Sequence, residues 1–169
     1  YSIPDCVTTI GGYVFHRCEN LTSVTIGDSV TAIGGFAFAY CNSLTSVTIP
    51  DSVTEIGGCA FSHCTSLTSV TIPDSVYFIH GHAFEYCTNL SSVTIGSSVM
   101  LIAYSTFKDC KSLINVYCKA TTPPALSGTD VFDNNGSGRK IYVPVGSGSA
   151  YQSANNWNEY ASDIVETTF

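Results

Sequence analysis

Eight cysteines and four histidines are the side chains of this 169-residue sequence suited to metal or nucleophilic chemistry. Cys59 and His82 stand 23 residues apart, His63 adjoins Cys64, and His80 lies two residues before His82. A zinc site needs three or four such ligands converging tetrahedrally. The positions one interval before and after this pair are Phe36 and Ser105, which add no nitrogen or sulfur. His16, His63, His80 and His82 therefore read as surface or half-buried side chains, and no metal or other cofactor is expected. No G-x-S-x-G elbow occurs, and no cysteine carries a protease-type signature. Asp5, Asp28, Asp51 and Asp74 recur at the same interval. Calcium needs six or more converging oxygens, so each Asp is better read as bonding the backbone of its own turn. Catalysis needs convergent groups in a pocket, whereas repeated polar residues fall in flat rows. An enzyme is not expected.

The interval itself organises the chain. Residues 18–40, 41–63, 64–86 and 87–109 align without a gap, a half copy spans 3–17, and another opens at Cys110. A fixed period of this length marks a solenoid, whose rungs bury their apolar faces only against one another. Leu21, Val24 and Ile26 with their counterparts make Leu-x-x-Val-x-Ile, a short strand in which β-branched residues alternate with Ser and Thr. Pro4, Pro50 and Pro73, with Gly27 and Gly96 in the same phase, end it. An Asp-Ser turn leads to a second extended piece, Val30-x-x-Ile33 and its copies. Gly-Gly then supplies a tight bend, and Ala-Phe-x-x-Cys reads as one helical or 3-10 turn.

Cys18, Cys41, Cys64, Cys87 and Cys110 form one ladder beside the core leucines. Strand spacing of about 4.8 Å would admit a disulfide, but the count is odd and parallel side chains hold their Cβ atoms apart. All five are expected to be buried, reduced and to act as small hydrophobes. Cys6, Cys59 and Cys118 fall outside the ladder.

Charge narrows the partners. The net charge is −7, and between residues 18 and 109 seven acids face Lys108 alone. Such a surface repels phosphate backbones, so nucleic acid is not expected as a partner. No apolar run approaches membrane-spanning length. The chain begins at Tyr1 in mid-repeat, as expected of a fragment whose export signal and earlier repeats are missing.

After Cys118 the period stops. Residues 119–124 read as an extended connector, 130–138 as a loop, and 139–144 as a strand able to pair with the 115–119 edge. A short helix near 149–155 would put Tyr151, Ala154 and Trp157 on one face, and Tyr160, Ile164 and Val165 add an apolar patch. The expected organisation is a solenoid over 1–118, with four full repeats and partial ones at each end, and a C-terminal cap over 119–169 continuous with it.

The repeat resembles the BspA-like (Treponema-type) leucine-rich repeat family, whose unit runs roughly L-x-x-I-x-I-P-x-x-V-x-x-I-G-x-x-A-F-x-x-C. The match covers residues 3 to about 118. Thr122-Pro123-Pro124, Phe132, Ile141–Pro144, Tyr151, Ala154 and Trp157 also resemble the family's C-terminal ending. The resemblance implies a right-handed, β-rich solenoid with a parallel sheet on its concave face, short helical or 3-10 turns and a small α+β cap. It also implies a surface or secreted bacterial protein with a role in adhesion. The expected function is a non-enzymatic interaction module with a protein or glycan partner, one that could come from a host. A structural spacer is the alternative, and a metal protein or enzyme ranks below both.

Two candidate surfaces follow. Ser23, Ser46, Ser69 and Ser92 beside Thr25, Thr48, Thr71 and Thr94 make a hydroxyl lattice on the first strands, without an aromatic platform for a sugar. Between Val and Ile of the second strand, early rungs carry Thr8-Thr9, Thr31-Ala32 and Thr54-Glu55, whereas later ones carry Tyr77-Phe78 and Met100-Leu101, with Tyr104 close behind. Contiguous apolar side chains of this kind mark an interface, for a partner or for self-association, unless the cap folds back over them.

Overall fold

A computed structural model describes residues 1–169. In chain order the repeats form β1 (Thr9–Ile10), β2 (Ser23–Thr25), β3 (Ala32–Ile33), β4 (Ser46–Thr48), β5 (Glu55–Ile56) and β6 (Ser69–Ile72). They continue as β7 (Phe78–Ile79), β8 (Ser92–Ile95), β9 (Leu101–Ile102) and β10 (Asn115–Cys118). The remainder adds β11 (Ala125–Leu126), β12 (Lys140–Pro144), helix α1 (Gly148–Ser153), a 3-10 helix (Trp157–Asp163) and β13 (Ile164–Thr167).

Every strand pairing is parallel, and within the repeats it joins like phases, Val70 to Val93 to Val116 on one wall and Ile33 to Ile56 to Ile79 on the other. The second strands build one six-stranded ladder, β1-β3-β5-β7-β9-β11. The first strands build β2-β4 and, separately, β6-β8-β10-β12-β13. The chain is thus a parallel β-solenoid of about 23-residue rungs.

A third ladder is made entirely of turns. Ala37, Ala39 and Cys41 N–H each bond back three residues, to Gly34, Phe36 and Phe38. The N–H groups between them reach the next rung, Phe36 to Gly58 (2.9 Å), Phe38 to Ala60 (2.7 Å) and Tyr40 to Ser62 (2.8 Å). The 3-10-type turns are therefore present singly, kept from merging into a helix by left-handed residues.

Those residues are not glycines. Tyr13, Phe36, Cys59, His82 and Ser105, and then Arg17, Tyr40, His63, Tyr86 and Asp109, hold φ between +54° and +62°. Such a backbone costs a side-chain-bearing residue on the order of 1–3 kcal/mol, and it persists where the surroundings over-determine it; here the inter-rung bonds do so. The Gly-Gly pair serves close approach instead. A Cβ on Gly57 would sit 2.6 Å from Gly35 N and 2.7 Å from Gly34 C.

Inside, Phe15, Phe38, Phe61, Phe84 and Phe107 stack with centroids 5.0–5.4 Å apart and nearly parallel planes. The thiols beside them donate to carbonyls of the preceding rung: Cys41 to Phe15, Cys64 to Phe38, Cys87 to Phe61 and Cys110 to Phe84, at 3.1–3.2 Å. Burial pushes Cys41 up to about 11 and raises Cys64 and Cys87 as well. Cys18 departs from the expected ladder: it is exposed, and its thiol has no carbonyl acceptor of the kind that Phe15 gives Cys41. Fast thiol labelling of the native protein should mark Cys6 and Cys18, while Cys41, Cys64, Cys87, Cys110 and Cys118 react only on unfolding. Rapid native labelling of any of those five would contradict the ladder.

The aspartates also differ from expectation. Asp5 accepts from Asp28 N–H (3.2 Å) and Asp74 from Ser97 N–H (2.7 Å), so these carboxylates tie one rung to the next rather than closing their own turns. Both bonds enter rungs led by glycine, Gly27 and Gly96, which lie against Pro4 and Pro73.

Beyond Cys118 the spacing changes but the ladders continue. β11 pairs with β9, and β12 pairs with β10 as the sequence suggested. Phe132 adds a sixth ring, 5.6 Å from Phe107. Tyr151, Trp157 and Tyr160 close the core and satisfy their polar ends on Ala120 O, Pro124 O and Thr129 O. Ile164 and Val165, expected as an apolar patch, belong instead to a further strand, β13, with Val165 outward. Arg139 locks the loop to the end, at 2.6 Å from Asp163 and over the Tyr160 ring.

Candidate interaction surface

On the second-strand wall the outward rows change character along the solenoid. Thr31 and Thr54 turn their hydroxyls onto the preceding carbonyls, Thr8 O and Thr31 O, and so present a satisfied polar surface. In the same row Tyr77 and Met100 follow, 44% and 62% exposed, beside Phe78 at 42% and half-buried Leu101. Register makes them neighbours, since Phe78 pairs directly with Leu101. Tyr104, 52% exposed, lies across Gly81, where a Cβ would stand 2.9 Å from the ring. Its edge meets His82 at 5.0 Å. The cap does not fold back over this face: β11 continues the ladder beside β9, and the four large side chains stay open. A groove of about 360 Å³ runs next to Met100, between residues 97–100 and 121–124.

The cysteine and histidine candidates are placed otherwise. Cys59 and His82 both occupy left-handed turn positions on successive rungs. His82 Nδ1 lies 3.0 Å from Glu85 and His80 3.8 Å from Glu55. Burial, then the Glu85 charge, raises the Cys59 thiol, the opposite of an activated nucleophile. No three His, Cys, Asp or Glu side chains converge to hold a metal ion.

Two aromatic features lie outside the sequence reading. His63 is sandwiched between Tyr40 and Tyr86 at 4.4 and 4.7 Å, with Arg17 over Tyr40, and Tyr13 stacks on Phe36. Burial lowers the His63 pKa, partly offset by Glu85. The signal was available, because Arg17, Tyr40, His63 and Tyr86 each immediately precede a ladder cysteine. On the first-strand wall, the row of Thr71 and Thr94 runs on through Tyr117 and Tyr142, stacked at 4.9 Å, to Val165. The hydroxyl lattice thus does have aromatic neighbours. These rings cover one face of each other, and their outer faces lie toward Thr94 and Val165 in the same row.

Parallel rungs of this period, a leucine-valine-isoleucine strand and a stacked phenylalanine column define a leucine-rich-repeat solenoid. More narrowly, the chain belongs to the BspA type leucine rich repeat region, matched in six copies over residues 1–121. It is similar to the leucine rich repeat protein of T. pallidum (27% identity, TM-score 0.59, 68% of this chain and 65% of that one). It is also similar to a leucine rich cell surface protein of Faecalibacterium prausnitzii (30% identity, TM-score 0.62, 95% and 43%). The pneumococcal vaccine antigen PcpA shares the fold (22% identity, TM-score 0.81, 100% and 41%). The chain therefore spans 65%, 43% and 41% of the length of these three proteins. No curated protein matches it significantly. No helix is long and apolar enough to cross a membrane.

Proposed function

We propose that the chain is a non-enzymatic interaction module of a cell-surface or secreted protein, and that it binds a protein partner through Tyr77, Phe78, Met100, Leu101 and Tyr104. The observation that carries this reading is that four of these five side chains stay exposed on two adjacent rungs, although the cap packs directly beside them. Aromatic residues and Met are typical interface anchors. The patch offers little to hydrogen-bond a sugar, which favours protein over glycan here. A surface location is supported by the description of the F. prausnitzii relative as a cell surface protein. A spacer would need no such patch.

The test is a displayed library of extracellular and surface proteins, screened against the native chain and against Tyr77→Ser/Met100→Ser. Exposed substitutions away from the core usually change stability by less than about 0.5 kcal/mol, so both should melt alike. Partners should lose tenfold or more in affinity for the variant. Partners indifferent to it would reject this surface, and an empty screen would favour the spacer.

A further inference from the structure

The apolar face on the second-strand wall cannot be covered by itself. A whole aromatic side chain buries about 150–250 Å², so Tyr77, Phe78, Met100 and Tyr104, each about half exposed, present about 400 Å² between them. A stable protein interface buries about 800 Å² on each side. Any partner seated on these four residues therefore covers their rim as well.

That rim is acidic. Glu55 stands directly opposite Phe78 on the neighbouring strand, a spacing of about 4.8 Å, with half of its side chain exposed. His80 Nε2 lies 3.8 Å from the Glu55 carboxylate, too far for a hydrogen bond. Three residues before Tyr77, Asp74 is exposed, and Asp51 is exposed in the same phase one rung earlier. Beyond Tyr104, Glu85 lies 3.0 Å from His82, whose ring meets the Tyr104 edge.

Nothing basic offsets these charges. Lys108 is the one Lys or Arg between residues 18 and 109, and Asp130 holds it at 3.8 Å. Lys119 and Lys140 belong to the first-strand wall, and Arg139 is tied to Asp163. The groove beside Met100, lined by residues 97–100 and 121–124, adds no charge.

Covering Phe78 thus fixes the partner's chemistry. An apolar surface would strip water from Glu55 and leave it unpaired, and an uncompensated buried charge is strongly unfavourable. An acidic surface would add like-charge repulsion from Asp51 and Asp74. A cation meets both needs at once, because aromatic faces attract positive charge. The cation–ring contacts within the chain are those of Arg17 and Arg139, so the rings of Tyr77 and Phe78 carry none. Arginine suits the pair better than lysine, since its plane stacks on a ring while its N–H fork meets a carboxylate. Met100 and Leu101 alongside offer contact to an apolar neighbour of that arginine.

We infer that the partner presents a basic segment, and that one arginine of it lies on Phe78 with its guanidinium donating to Glu55. This assignment rests on the contact face proposed above and names what that face selects.

The probes are the peptide acetyl-Gly-Arg-Leu-Arg-Gly-amide and a twin in which citrulline, the neutral isostere, replaces both arginines. Each is titrated into the isotope-labelled full chain while backbone amide shifts are followed. The arginine peptide should bind saturably, with shifts at residues 55, 77–80 and 100–104, and the citrulline twin at least tenfold more weakly. Glu55→Gln is an exposed change and should melt like the native chain. It should weaken the arginine peptide at least threefold and leave the citrulline twin unchanged. Glu19→Gln, an equal change of net charge on an exposed turn two rungs away, should alter neither. Equal binding of the two peptides, or no saturable shift near Phe78, overturns the inference. So do shifts spread over the acidic residues of the whole chain, or a loss with Glu19→Gln as large as with Glu55→Gln. Screened partners that lose affinity for Tyr77→Ser/Met100→Ser but not for Glu55→Gln would keep the face and overturn the cation. Partners indifferent to both variants would reject the face itself.

Discussion

A chain ending at Cys118 should fail to remain a folded monomer. Removing residues 119–169 takes away β12, the partner of β10, and Phe132, the ring that covers Phe107. It also removes Tyr151, Trp157 and Tyr160, all buried against the end of the core. Leu113, Val116 and Cys118, now inaccessible, would form an open apolar sheet end, and an unpaired edge of this kind templates association. Size-exclusion chromatography and far-ultraviolet circular dichroism on heating are the measurements. The truncated chain should elute as aggregate or lose its sheet signal well below the full chain's midpoint. A monodisperse truncation with an unchanged midpoint would mean that residues 119–169 are a passenger and that the solenoid closes itself.

Phe84→Ala should be the most damaging single substitution among the repeats. Phe84 is fully buried and stacks on Phe61 at 5.2 Å and on Phe107 at 5.4 Å. Truncating a buried phenylalanine costs about 3–5 kcal/mol. At roughly 2–4 °C per kcal/mol for a domain of this size, melting should fall by about 6–20 °C. The neighbouring Cys110 thiol donates to the Phe84 carbonyl, so its labelling should rise as the packing loosens. Chemical denaturation of both proteins measures the difference. A loss below about 1 kcal/mol, within the range of surface substitutions, would show that the ring column does not carry the core.

Most of the solenoid was legible because its information is periodic. Leu44, Val53, Ile56 and Phe61 repeat at one spacing, so each phase reports the same inward position several times over. What escaped was non-periodic or depended on the neighbouring rung. Cys18 shares its phase with four buried thiols yet is exposed, because a ladder cysteine is held and covered by a neighbouring rung and not by its own sequence. Intrinsic preference puts the tight bend on the glycines, whereas the left-handed positions fall one or two residues later, on Phe36, Cys59 and His82, where inter-rung hydrogen bonds hold them. β11 and β13 are short segments without alternation, made strands by the edge they meet. Of the candidate surface, the swap from threonine to Tyr77 and Met100 was visible in the repeat alignment; that the cap leaves it open required the fold.

The proposed function depends on contact through the Tyr77–Tyr104 face. Its most direct measurement is amide hydrogen exchange of the full chain, free and bound to a partner taken from the displayed-protein screen. Added protection is expected at residues 77–79 and 100–104, with the turn ladder around Tyr40, His63 and Tyr86 unchanged. Protection confined to that turn ladder or to the first-strand wall, with residues 77–79 and 100–104 exchanging as in the free chain, would contradict it.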